Sequence, residues 1–132
     1  MKRLPAFLLT LLLALLAVLA PASAGEEDRV ARVPVEDVRV LLVSAIDSPT
    51  GQAQGVLIGE AARLITERFR ATGPILIDIT TERRYRQPGC SRLKLALSQE
   101  GVQLPGASGP ERRTVDIGLN YCRDGTPPKS LS

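Results

Sequence analysis

Apolar positions along the chain alternate with polar and turn-forming stretches in a way that separates a leader from a folded domain. The first apolar block, Phe7 to Ala20, is rich in leucine, follows Lys2 and Arg3, and is followed by Pro21-Ala22-Ser23-Ala24. A basic start, an apolar centre and small residues before a cut form the order of a secretory signal peptide, so residues 1–24 read as a leader cleaved after Ala24. Pro21 breaks the run where a membrane anchor would continue, and Leu4 to Ala20 is short for a bilayer span. No cysteine stands near the cut, which excludes lipoprotein processing.

Beyond the leader, residues 25–34 are charged and aperiodic and predict a flexible N-terminal arm. Val38 to Ile46 is β-branched and apolar on both alternating phases, the pattern of a strand buried on both sides. Leu41 and Val43 on its second face would then need a cover. Ser48 and Pro49 suit a helix start and Gly73 a stop, which places one helix within Pro49 to Thr72. On a helical wheel Gly51, Gly55, Ile58, Gly59, Ala62, Ile65 and Phe69 share a stripe opposite Glu60, Arg63, Glu67 and Arg70. Three half-buried strands follow, with Ile75, Ile77 and Ile79, then Leu93, Leu95 and Leu97, then Val115, Ile117, Leu119 and Tyr121 on their apolar phases. The expected architecture is α+β: one helix packed on a small, largely antiparallel sheet in the order β-α-β-β-β over residues 35–125. Residues 126–132, with Pro127 and Pro128, read as a disordered tail.

Charge and cysteine content narrow the setting. Of 17 basic residues the leader carries two, leaving 15 against 14 acidic ones, so the exported domain is nearly neutral. That balance argues against nucleic acid as a partner, which a strong basic excess would attract. About 108 residues suffice for one modest core. Cys90 and Cys122 are the only cysteines, and an even pair in an exported chain reads as a disulfide. If the last two strands are antiparallel neighbours, the start of one lies beside the end of the other and the two cysteines meet. A periplasmic location follows from the leader and the disulfide together, with no membrane span after cleavage.

Candidate chemistry is sparse. The chain contains no histidine, which removes the usual general base, the common nucleophile pairs and the commonest metal ligand. Ser91-Arg92-Leu93-Lys94 matches an S-x-x-K string, but in a strand residues three apart point to opposite faces, and its companion strings are missing. Asp78 and Glu82 on one strand face would stand about 13 Å apart, too far for a glycosidase pair, while Asp78 and Asp116 on neighbouring strands read as solvated face residues. No metal site, cofactor or catalytic residue is expected. Arg83, Arg84, Arg86, Arg92 and Lys94 form a basic segment with no acid between its ends. Strand alternation places Arg84, Arg92, Lys94 and Arg112 on the helix-free sheet face, as candidates for contact with an acidic envelope protein or an anionic envelope component.

The stretches Glu82-Arg83-Arg84-Tyr85-Arg86-Gln87-Pro88-Gly89-Cys90-Ser91-Arg92-Leu93, Gly101-Val102-Gln103-Leu104-Pro105-Gly106-Ala107, and Gly118 to Leu131 with Asn120-Tyr121-Cys122-Arg123-Asp124-Gly125 at its centre resemble a small exported proteobacterial family. That family is associated with conjugative plasmids and integrative elements. The resemblance covers roughly residues 75–131 and brings no catalytic motif. It implies an accessory role in the envelope. The expectation is a non-enzymatic periplasmic binding or assembly-accessory protein, with room for a homo-oligomer. The alternative is a small ligand-binding protein or hydrolase with a helix-sheet pocket, which the shortage of aromatic residues weakens.

Overall fold

The computed structural model describes residues 32–132; the leader, its cleavage point and all of the arm before Arg32 lie outside the described residues. Within it the chain forms β1 (Val33–Val35), α1 (Arg39–Asp47), β2 (Gln52–Leu57), α2 (Glu60–Arg68), β3 (Ile75–Arg84), β4 (Cys90–Val102) and β5 (Glu111–Cys122). The strands make one sheet in the order β1-β2-β3-β4-β5. β1 runs parallel to β2, and the other neighbours are antiparallel. The architecture is α+β, but the sheet is mixed rather than largely antiparallel, and it carries two helices rather than one. A β-α-β-β-β succession is present from Gln52 to Cys122, but its first strand is Gln52–Leu57 rather than Val38 to Ile46, and β1 and α1 precede it. A parallel pair needs a crossover to carry the chain back. Here α1 is that crossover.

The segment Val38 to Ile46, expected as a strand, is therefore mostly helix. Leu41, Leu42, Ala45 and Ile46 are buried, a spacing that falls on one face of a helix, while Val40 points to solvent. Asp37 Oδ1 accepts the Arg39 backbone N–H at 2.9 Å and so tethers the first turn. Side-chain hydrogen bonding from Arg39, followed by its backbone N–H, holds the Asp37 carboxyl below the ordinary carboxylate range. At the other end the Arg84 guanidinium donates to the carbonyls of Ile46 and Ser48, at 3.3 and 3.0 Å. Carbonyls left over at a helix C-terminus are satisfied in this way by a cation.

The first part of the expected single helix is a strand. In β2 Gln52 and Gln54 face solvent, while Ala53 and Leu57 are partly covered and Gly55 is buried. A Cβ on Gly55 would lie 2.5 Å from Leu41 Cδ1 and 2.8 Å from the Val33 carbonyl oxygen. The bare backbone there is what lets α1 and β1 close on β2. Gly59 then turns the chain into α2 with φ of +87°, a conformation side chains resist.

The core joins Val35 and the inner face of α1 to Ile77, Ile79, Leu93 and Leu95. α1 covers only one end of the sheet. α2 buries no residue and is tied to β4 at its C-terminal end: Gln99 Nε2 donates to Thr66 Oγ1 and to the Gly73 carbonyl, both at 2.9 Å. Val115 and Ile117, expected beneath a helix, are consequently exposed on β5.

Cys90 and Cys122 pair in register and form the expected disulfide, with Cα atoms 4.0 Å apart. Their amides bond elsewhere, Cys90 N–H to the Gln87 carbonyl and Cys122 N–H to the Thr126 carbonyl, so the bridge spans the close, non-hydrogen-bonded kind of antiparallel pair. The segment 126–132 lies along the β3–β4 turn: Gln87 Oε1 accepts the Lys129 N–H and the Ser132 carbonyl accepts the Arg86 N–H. No helix among the described residues is long and apolar enough to cross a membrane.

Candidate contact surface

The open face of the sheet carries the even-numbered residues of β4 and β5, so Arg92 and Lys94 stand there, across from Asn120 and Gly118. Their placement follows from alternation. Arg84 does not join them, and the cause is a β-bulge. The β3–β4 register shifts between Thr81 and Arg83, which leaves Glu82 as the extra residue and sets Arg83 opposite Arg92 and Arg84 opposite Ser91. Every side chain beyond the bulge thus changes face. Arg84 turns to the helix side and caps α1, and Arg83 takes the place expected for it.

Four further contacts organise this end of the open face. The Arg83 guanidinium carbon lies 5.5 Å from the centroid of the Tyr85 ring, within cation–π range. Tyr85 donates its hydroxyl proton to Asn120 Oδ1 at 2.6 Å, and Arg92 Nη1 donates to the same oxygen at 3.4 Å. Arg92 Nη2 also lies over Gly118, 2.5 Å from where a Cβ would stand. Arg83, Arg92 and Lys94 make no ion pair with any described residue. Asn120 therefore links Arg92 to Tyr85, over whose ring Arg83 lies, and Lys94 stands two residues further along β4 on the same face. Arg83 and Tyr85 could not be placed from alternation, because nothing local in Thr81-Glu82-Arg83 announces a bulge.

Arg112 is on the open face but at its far end. It pairs with Glu100 Oε1 at 3.0 Å and reaches Ser98 Oγ at 3.3 Å, and Ser98 lies four residues, about 13 Å, from Lys94 along β4. It does not belong to the cluster. Asp78 is not a free acid: the buried guanidinium of Arg32 donates to its two carboxylate oxygens at 3.1 and 3.3 Å and to the Ile77 carbonyl at 3.0 Å, and Gln54 donates to it at 3.2 Å. Arg32 sits in the stretch assigned to the arm, where no periodicity could identify it. Asp78, Ala96 and Asp116 occupy one row across three strands, so two strand spacings, about 10 Å, separate the two carboxylates. Ser91 is buried on the helix side and Lys94 is exposed on the other, which keeps the two ends of the S-x-x-K string apart.

A second surface feature lies on the helix side, at the end of the sheet α1 leaves uncovered. Ile65 of α2 and Phe69 at its C-cap face Leu97, Val102, Leu104 and Val115 across an apolar groove of about 400 Å³. Among the described residues no group of three histidine, cysteine, aspartate or glutamate side chains could hold a metal ion. Comparison with known proteins gives no relative: no protein-family model, no curated protein and no solved structure matches the chain.

Proposed function

We propose that the protein is a non-enzymatic binding module of the bacterial envelope, exported by its leader to the periplasm. It docks on an acidic protein partner through Arg83, Tyr85, Arg92 and Lys94, as an accessory of a transfer or secretion apparatus. The observation that carries this reading is the Asn120-centred cluster on an open sheet face, where Arg83 lies over the Tyr85 ring, Arg92 shares Asn120 with that tyrosine and Lys94 follows on the same face, none of the three cations ion-paired with a described residue. Arginine and tyrosine are the residues that most often anchor protein interfaces, and uncompensated positive charge steers an anionic partner. A binding role also agrees with the state of the reactive groups: both cysteines are bridged and Asp78 is ion-paired.

A photocrosslinking residue at position 94, incorporated in the cell, tests the reading, with position 64 on α2 as control. A protein adduct at 94 that disappears in Arg83→Gln/Arg92→Gln supports it. Adducts to lipid alone, or equal adducts at both positions, overturn it. The second reading, a small ligand-binding protein, draws on the apolar groove beside α2. Native mass spectrometry of protein purified from the cell distinguishes it, because a co-purifying apolar ligand would add its mass to the chain.

A further inference from the structure

The two edges of the sheet differ greatly. β1 closes one edge with three residues, whereas β5 leaves the other open along twelve. The β5 stretch contains no proline. Because Cys122 occupies a non-hydrogen-bonded pair with Cys90, the even-numbered residues of β5 aim their N–H and C=O groups away from β4. From Arg112 to Asn120 those backbone groups have no backbone partner among the described residues. Proteins ordinarily shorten, bend, cover or heavily charge such an edge. Here the helix-side face of the same strand shows Val115 at 57% and Ile117 at 43% exposure.

We infer that β5 pairs with β5 of a second copy of this chain, antiparallel about a twofold axis through Ile117, to make a continuous ten-stranded sheet. Centring at Ile117 overlaps the strands almost fully. On the helix side it sets Ile117 against its own copy, Val115 against Leu119, and Arg113 against the ring of Tyr121. On the open side it sets Asp116 against Gly118, the residue over which the Arg92 guanidinium lies. Asp116 makes no ion pair with any described residue, and this register supplies one from the second copy, twice by symmetry. Moving the axis by one residue, to Asp116, would oppose two carboxylates. The self-complementarity is what a closed dimer requires, and the paired edges would add about eight backbone hydrogen bonds. Arg92 belongs also to the cluster proposed above, but the pairing rests on the open β5 edge and is read by mass and crosslinking, which need no acidic partner.

Sedimentation equilibrium of protein purified after expression of the full chain tests it. The expected result is a species of twice the chain mass. Ile117→Lys should give a monomer, as should Asp116→Arg, an exposed substitution that leaves the core untouched, and Arg92→Asp added to Asp116→Arg should restore the dimer. Ile117→Cys should crosslink to its own copy on oxidation, since a residue on the axis lies opposite itself in a close pair, while Thr114→Cys should not. A monomer at every soluble concentration overturns the inference. So does a dimer that survives both Ile117→Lys and Asp116→Arg, or equal crosslinking at positions 114 and 117.

Discussion

At the residue scale, three positions carry stability out of proportion to their size. Gly55 lies against Leu41 and the Val33 carbonyl, so Gly55→Ala must push α1 or β1 off the sheet. Overpacking of this kind costs about 1–3 kcal/mol, readable as a lower denaturant midpoint. Arg32 is buried and joins the Ile77 carbonyl to the Asp78 carboxylate across β3. Arg32→Met would leave that carboxylate without its guanidinium partner; with Asp78 partly in water the loss should be roughly 1–3 kcal/mol. Asp37, whose carboxyl is stabilised as the anion by Arg39, sets a sign for the acid response of α1. Its folded-state value lies below its unfolded one, so its contribution is present above the ordinary aspartate range and fades as pH falls through the lowered value. Circular dichroism during acid titration should show α1 loosening only below that range in the parent. Asp37→Ala should remove this component.

At the element scale, what could be read in the sequence and what could not follows from periodicity. β3, β4 and β5 were legible because each alternates cleanly over several residues, and their register brought Cys90 and Cys122 together as alternation requires. Val38 to Ile46 was not, because a short run of apolar residues satisfies a strand and a helix equally. Its identity is decided by tertiary fit, namely the bare backbone of Gly55 beneath Leu41. The signal for β2 was present, since Gln52 and Gln54 alternate with Ala53 and Gly55, but the glycines at positions 51, 55 and 59 also fit a helical stripe. They serve three separate purposes instead: a turn, a close approach and a helix start. The bulge at Glu82 moved the candidate surface from Arg84 to Arg83. The disulfide tying β4 to β5 closes a separation of 32 residues, and its loss should cost about 3–4 kcal/mol on the chain-entropy estimate. The melting temperatures of the reduced protein and of Cys90→Ser/Cys122→Ser should both lie well over 10 °C below that of the oxidised parent, at roughly 4–8 °C per kcal/mol for a domain this size.

At the scale of the whole molecule, the sheet presents two unlike faces and two unlike edges. α1 seals one end of one face, and the open face concentrates its uncompensated positive charge beside the disulfide. The residues proposed for recognition are thus not those that hold the fold, and binding and stability should separate experimentally. Arg83→Gln/Arg92→Gln/Lys94→Gln alters exposed or half-exposed groups, so its melting temperature should stay close to the parent's. The most direct test is calorimetric titration of the partner crosslinked from position 94 into the parent and this triple variant, at low and at physiological ionic strength. Attraction between exposed charges is screened over about 8 Å at the higher salt. The account predicts tight binding to the parent that weakens with salt, and binding to the triple variant that is at least tenfold weaker at low salt and nearly insensitive to it. Equal affinity of parent and variant at both salt concentrations would contradict it.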